Sequence, residues 1–365
     1  MNSKRKKMAL WILLSMLVLA AAGVFGFLAR PSFGRRPSGE RLERIRRSPN
    51  YRDGMFRNQT PTPMMTGERN RWQALWEFVF GSREGVRPDK ALRVVRTDLK
   101  RLPSETNLMV WFGHSSYLLQ VDGMRILVDP VFYAAAPVSF INKPFAGTDV
   151  YRPEDLPDID LLIITHDHWD HLDYRTAKEM RTSVRKVVCP LGVGAHFERW
   201  GYEKEQLIEL DWEEEARYDG LVVHCLPARH FSGRGLTPNN TLWASFLLES
   251  ASLTLFLGGD GGYGPHLRQI GQRFPSIDWA VLENGQYSED WRYIHTMPGQ
   301  LGKVVSDLNA KRVVTVHHSR YALSEHPWDE PLKTAESLRD SQRMNVFMPA
   351  IGEILSLDVN QPNNI

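Results

Sequence analysis

The sequence predicts an α/β fold of αββα type: two packed β-sheets with helices on their outer faces. Two observations carry this reading. From Asn107 onwards, apolar runs of strand length follow one another, first joined by tight turns and then alternating with helix-length stretches. Acidic and histidine residues recur where those runs stop, so the polar chemistry collects at strand ends around a layered core. The chain has 365 residues, enough for one large domain with a leader or for two domains.

The leader comes first. Met8 to Ala29 carries no charge and is long enough to span a bilayer. Lys4, Arg5, Lys6 and Lys7 precede it and Arg30 follows. It reads as an uncleaved single-pass anchor (residues 1–30) that places the rest of the chain outside the cytoplasm. The alternative is a cleaved signal peptide, because Ala20-Ala21-Ala22 offers an A-x-A-like site. Arg35, Arg36, Arg41, Arg44, Arg46 and Arg47 leave the opposite orientation open. They suit anionic headgroups or a solvated linker equally. Residues 31–106 read as a lead-in and linker, extended and poorly packed to about residue 70. Trp72 to Phe80 reads as a short aromatic helix that packs on the main domain or lies at the membrane interface.

The main domain spans 107–356, with a tail at 357–365. Leu108–Phe112, Tyr117–Val121 and Arg125–Val128 are predicted strands, the last two joined by an Asp122-Gly123 turn. His114 and Asp129 stand at strand ends. Further strands are predicted at Leu161–Ile164, Lys186–Val188, Leu221–Leu226, Thr241–Leu248, Leu253–Leu257, Ile277–Leu282 and Arg312–Val316. Helices are predicted at Tyr174–Met180, capped by Asp173, at Val193–Trp200, at Gly299–Leu308 and at Pro331–Met344. Cys189 and Cys225 end strand-like runs and read as buried free thiols, with a disulfide between them as the alternative.

One loop dominates the chemistry. Thr165-His166-Asp167-His168-Trp169-Asp170-His171 reads H-x-H-x-D-H between a strand and a helix. Imidazole and carboxylate at this density suit Zn²⁺, with Fe or Mn as alternatives. The spacing favours two ions: His166 and His168 face one, Asp170 and His171 the other. A polar loop with backbone-bonded histidines is the bland alternative, and four potential ligands in six residues argue against it. His230, Asp260 and His317 each follow an apolar strand and offer the remaining ligands. Gly258, Gly259, Gly261 and Gly262 leave room for Asp260 to bridge two metals.

These residues resemble the metallo-β-lactamase-fold hydrolase superfamily, of which H-x-H-x-D-H is the signature. Gly113-His114-Ser115-Ser116, Val128-Asp129-Pro130, Pro227 to Arg234, Gly259-Asp260-Gly261-Gly262-Tyr263, Ile294 to Pro298 and His317 to Leu323 resemble a narrower branch. That branch contains N-acylphosphatidylethanolamine-hydrolysing phospholipase D and its bacterial relatives. The resemblance covers residues 48 to 355. It implies one zinc on His166, His168 and His230, a second on Asp170, His171 and His317, and Asp260 as the bridge. It implies catalytic roles for Asp170, Asp260 and His295, the last near the substrate head group. His114, Asp129 and His318 are candidates for supporting or substrate contacts. Where relatives carry a His-Trp-Gly-Thr type segment, this chain has His317-His318-Ser319-Arg320, so His318 is a competing ligand.

The expected function is therefore a dinuclear zinc phosphodiesterase of phospholipase D type on a lipid. The alternative is a metal-dependent lactonase or other carbonyl hydrolase using the same site. The substrate is a lipid or small molecule, and the membrane is a partner through the leader. A non-catalytic module is disfavoured because all seven ligand positions are filled. Nucleic acid is disfavoured because the net charge is only +2. A drug-resistance β-lactamase is unsupported, since fold does not fix function.

Overall fold

The computed structural model describes residues 3–69, 73, 76, 81, 84–138 and 140–358. Helix α1 (Ser3–Leu28) carries the apolar leader and stands clear of the rest of the chain. Its length and composition fit a membrane span, as they would a signal sequence.

Six strands follow in the first half of the domain: β3 (Leu108–Trp111), β4 (Tyr117–Val121), β5 (Met124–Val128), β6 (Ile159–Ile163), β7 (Val184–Pro190) and β8 (Leu207–Leu210). The second half adds β9 (Glu215–Tyr218), β10 (Leu221–Leu226), β11 (Ser245–Glu249), β12 (Thr254–Leu257), β13 (Trp279–Glu283), β14 (Val313–Val316), β15 (Val346–Phe347) and β16 (Ile354–Ser356). They form two seven-stranded sheets, ordered β16-β3-β4-β5-β6-β7-β8 and β15-β14-β13-β12-β11-β10-β9.

Alternation along the strands explains the layering. In β4, Tyr117, Leu119 and Val121 face the other sheet, while Leu118 faces outward. In β12, Leu255 and Leu257 face inward and Phe256 outward. These two strands are buried on both faces, so both phases of the period-2 pattern are apolar. The outer face of the first sheet is covered by α3 (Tyr174–Glu179) and α4 (Gly194–Arg199). The other is covered by α5 (Pro265–Arg273), α6 (Pro298–Leu308) and α7 (Glu330–Asp340). Asp173 caps α3, accepting from the backbone N–H groups of Arg175 and Thr176.

Strand direction places the chemistry. β3, β5 and β6 run the same way in one sheet, and β10, β12, β13 and β14 share a direction in the other. Their carboxyl ends deliver His114, Asp129, the 165–171 loop, His230, Asp260, Glu283 and His317 to one rim. Ligand sites in sheets with parallel crossovers form outside the carboxyl ends of the strands.

Several expectations are corrected. The segment after residue 31 is packed, not loose. It forms α2 (Gly39–Arg47) and a hairpin, β1 (Tyr51–Arg52) with β2 (Met55–Phe56). Ile45 and Phe56 are fully buried in the inter-sheet core. The half-buried Arg41 pairs with Glu198 at 2.8 Å and Glu209 at 2.6 Å. The abundance of Arg and Pro hid these two apolar anchors. Strand β11 starts at Ser245, because Thr241–Ala244 is loop bonded to the metal loop through Ala244 N and Thr165 O. Helix α7 ends at Asp340 rather than Met344. The hydrophilic β9, the short β8, β15 and β16, and α5 escaped pattern reading. The aromatic stretch Trp72–Phe80 lies, apart from Gln73 and Trp76, outside the described residues. Cys189 and Cys225 are buried free thiols.

Candidate metal centre

The strand β6 ends at Ile163, and the chain turns through the His166–His171 loop before Asp173 starts α3. His166 Nε2 lies 2.9 Å from His168 Nδ1, and His230 Nε2 lies 3.2 Å from the same atom. These three nitrogens form one donor group. His114, Asp170, His171 and His317 form a second. One oxygen of Asp260, Oδ2, stands between them. It is 3.9 Å from His166 Nε2, 3.7 Å from His230 Nε2, 3.1 Å from His171 Nε2 and 3.2 Å from His317 Nε2. A carboxylate shared by two clusters of imidazoles is the geometry of a bridging ligand.

The donors fit two metal ions. His171 Nε2, His317 Nε2 and Asp260 Oδ1 are buried without a hydrogen-bond partner. Buried polar atoms in proteins are mostly paired, because leaving one unpaired costs about 1–3 kcal/mol. Orphans that converge with carboxylate and imidazole atoms are what ligands look like without their ion.

The supporting contacts fix which ring nitrogen points inward. His171 Nδ1 donates to Asp129 Oδ2 at 2.7 Å, and His230 Nδ1 to the Ile294 carbonyl at 2.7 Å. His317 Nδ1 reaches the Gly285 carbonyl at 3.3 Å. Thr165 Oγ1 donates to Asp129 Oδ2 at 2.7 Å and accepts from His166 Nδ1 at 3.0 Å. In each case Nε2 is left for a metal. His114 Nε2 donates to Asp170 Oδ2 at 2.9 Å and so orients that carboxylate. His114, Asp129 and His317 all adopt positive φ, at 52°, 42° and 70°. Such conformations persist where tertiary contacts over-determine them. Here His317 N donates to the His114 carbonyl and His114 N to that of His318, tying the two sheets together.

The two donor groups differ electrostatically. Burial holds His166 and His230 well below the usual imidazole range, and their histidine neighbours push the same way. His168 is also lowered, chiefly by burial. All three shifts favour the neutral imidazole, the form that can coordinate a metal. Burial also opposes charge on His171 and His317, but the neighbouring carboxylates reverse it. His171 rises well above its ordinary value, and Asp260 and Asp170 carry His317 up to about 10. Burial raises Asp260 and Asp170, yet the imidazoles beside them bring both well below the carboxylate range.

A pH prediction follows from the sign. The folded-state value of His317 lies above the ordinary 6.5, so its protonation stabilises the metal-free fold fully below pH 6.5. That contribution is lost as pH rises through about 10. Chelator-treated protein is expected to show a falling Tm across this window, and metal-loaded protein a flatter one. Parallel thermal melts of the two forms would contradict it.

His295 joins the centre from the α6 side. Its Nδ1 donates to Glu283 Oε2 at 2.7 Å and lies 4.0 Å from Asp260 Oδ2. Glu283 also accepts from Thr296 N at 2.6 Å and Gly261 N at 3.2 Å. Sequence reasoning assigned Glu283 no role, although the same signal, an acidic residue at a strand end, marks it. It equally missed Asp167 and His196. Asp167 accepts from His196 Nε2 at 3.1 Å, Gly233 N at 2.6 Å and Thr241 Oγ1 at 3.0 Å. The competing ligand His318 points elsewhere: it packs on Trp111 at 4.9 Å and bonds to Ser319 Oγ at 2.8 Å. Burial lowers it to about 3. Arg320 is fully buried and donates to the Phe112 and Thr148 carbonyls, which makes it a pin between loops.

The glycines around Asp260 serve chain packing. A Cβ on Gly259, at φ +60°, would sit 2.8 Å from Thr165 Cβ, and one on Gly262 would meet the Tyr293 carbonyl at 2.0 Å. The room they create is for the Thr165 and Tyr293 segments, rather than for metals directly.

A cavity of about 520 Å³ opens over the centre. His168, Asp170, His230, Asp260, His295 and His317 form its polar part, and Met64, Met65, Phe231, Leu236, Trp291 and Leu323 are among its apolar walls.

Comparisons with known proteins agree with this picture. Residues 124–318 match the family model of the β-lactamase superfamily domain. An uncharacterised protein of Mycobacterium tuberculosis is 35% identical over 312 residues, covering 84% of each chain. N-acyl-phosphatidylethanolamine-hydrolyzing phospholipase D 1 of Caenorhabditis elegans is 28% identical over 292 residues, covering 73% of this chain and 81% of that protein. Among solved structures, the metallo hydrolase Igni18 of Ignicoccus hospitalis shares the fold, with a TM-score of 0.51 at 22% identity over 68% of this chain and 97% of that one. With its two-sheet sandwich, its His/Asp donor cluster and these matches, the chain belongs to the β-lactamase superfamily, as a metal-dependent hydrolase of the metallo-β-lactamase fold.

Proposed function

We propose that this hydrolase is a dinuclear zinc phosphodiesterase of phospholipase D type, acting on N-acylphosphatidylethanolamine-like lipids. We further propose that α1 anchors it in a membrane, with the domain outside the cytoplasm. The observation that carries the reading is a two-cluster centre bridged by Asp260 at the base of an apolar-walled cavity. Polar atoms gather where a phosphodiester would sit, and Met, Phe, Leu and Trp side chains line the way for acyl chains. The similarity to the C. elegans phospholipase supports the lipid class.

His166, His168 and His230 would hold one ion, and Asp170, His171 and His317 the other, with Asp260 shared. Imidazole with carboxylate favours Zn²⁺, and Fe or Mn suit the same donors. Bound metals supply Lewis acidity and a nucleophile available at neutral pH. The protein's own residues do the rest. Asp129 and Thr165 hold the His171 and His166 rings in register. Glu283 accepts a hydrogen bond from Nδ1 of His295 and turns Nε2 of that ring towards the cavity, where an Nε2–H of the imidazolium form would donate to a phosphoryl oxygen. The apolar walls exclude bulk water around that contact.

The test is product analysis by mass spectrometry on zinc-loaded protein given N-acylphosphatidylethanolamine in mixed micelles. Release of N-acylethanolamine with phosphatidic acid, absent in Asp260→Asn, is the expected result. No release from protein shown to hold two metals would sink the phosphodiesterase reading and direct the next assay to lactones. A second expectation concerns Glu283. Glu283→Gln should lower kcat by about 10–100-fold, the usual cost of losing a supporting hydrogen bond. Metal content should stay unchanged; loss of metal instead would make Glu283 part of the metal site.

A further inference from the structure

We propose that the face bearing Arg35, Arg36 and Leu236 rests on the anionic headgroups of the bilayer that holds α1, so that the metal-site cavity opens along the membrane surface. This goes beyond the reaction proposed above and does not depend on which bond the site breaks.

α1 is apolar and uncovered by the rest of the protein, and it ends at Leu28. The chain does not leave it on a free tether. Arg199 Nη2 donates to the Ala29 carbonyl at 2.7 Å and Trp200 Nε1 to that of Pro31 at 2.8 Å. Arg234 Nε donates to the Ser32 carbonyl at 3.0 Å, and Arg35 N to His196 Nδ1 at 3.0 Å. The Phe33 ring meets Phe27 at 5.1 Å and Trp169, inside the metal loop, at 5.0 Å. An anchor fastened this closely fixes which face of the domain meets the membrane.

Arg30, Arg35 and Arg36 are exposed within eight residues of the end of α1. Juxtamembrane arginines attract anionic headgroups. The basic patch is continuous with the metal-site cavity. A cavity of about 330 Å³ is lined by Leu28 at the anchor's end, by Arg35 and Arg36, and by Leu236. Leu236 also lines the metal-site cavity, and it is 81% exposed. A lone exposed leucine is ordinary. One that stands between a membrane anchor, a basic patch and the mouth of an apolar-walled site has a bilayer as its natural cover.

The test uses the full chain reconstituted in phosphatidylcholine vesicles containing phosphatidylglycerol. An environment-sensitive fluorophore is attached at Leu236→Cys or, as a control, at Glu105→Cys. Glu105 is exposed and precedes β3, whose other end leads to the metal site. The native cysteines are both buried and do not compete for label. The label at 236 is expected to shift to the blue and to be quenched by doxyl lipids, and the label at 105 to show neither. Arg35→Glu with Arg36→Glu should abolish the quenching at 236, while Arg35→Lys with Arg36→Lys should keep it. Quenching at 236 no greater than at 105 overturns the proposal. So does quenching that survives charge reversal, or a chain that does not stay with the vesicles.

Discussion

Asp260→Asn is expected to lower kcat/KM by about 10³-fold and to reduce the bound metal from two ions towards one. The Oδ2 atom lies within 4 Å of imidazole nitrogens from both donor groups. No other carboxylate among the described residues has that position. Asn keeps the shape but not the charge, so both groups lose their shared anion. Lewis-acid stabilisation in such sites is worth several kcal/mol, and a loss of about 4 kcal/mol corresponds to about 10³-fold in rate. The effect should be visible without substrate as well. His171 and His317 owe their raised proton affinity first to Asp260 among the carboxylates, working against burial. In the metal-free variant both should titrate closer to the ordinary range, which the histidine ring signals in NMR can follow. Full metal content with normal turnover would remove Asp260 from the bridging role.

Arg234→Ala is expected to give the largest loss of stability, about 3–5 kcal/mol, or roughly 5–10 °C in Tm. Its guanidinium is buried and makes no ion pair among the described residues. It spends its donors on backbone carbonyls instead: Asp167 at 2.9 Å, Leu172 at 2.6 Å and Ser32 at 3.0 and 2.9 Å. It also stacks on Trp169 at 4.0 Å. Burial without a carboxylate partner pulls the group down to about 10, which still leaves it charged at pH 7. Truncation strands three carbonyls in the interior and frees both ends of the metal loop. Metal affinity should fall by about 10–100-fold alongside stability. Arg234→Lys should recover little of either, because an ammonium cannot span three acceptors fixed for a planar fork. A Tm within a degree of the parent protein would show that the loop is held by other contacts.

Much of the fold was legible because its strands are short, apolar and separated by clear turn signals. Tyr117–Val121 and Leu221–Leu226 are found where the pattern puts them. What escaped lacks that contrast. Glu215–Tyr218 is an edge strand with alternating exposed residues, and α2 hides one buried Ile45 among arginines. In both, tertiary pairing supplies the order that local propensity does not.

The sequence by itself determined the fold class and the chemical character of the centre. Ligand residue types packed into one loop announce a metal irrespective of what surrounds them. The tertiary structure alone decided which strand-end residues meet. Adjacent residues such as His317 and His318 are equal candidates in a linear reading. The left-handed turn after β14 sends one ring to Asp260 and the other against Trp111. The partnership of Glu283 with His295, and of Asp129 with His171 and Thr165, depends on where the ends of separate strands come together. So does the clamp of the segment after α1 on Trp169 and Arg234. These are distances between segments far apart in the chain, fixed by strand order, and no local window of sequence contains them.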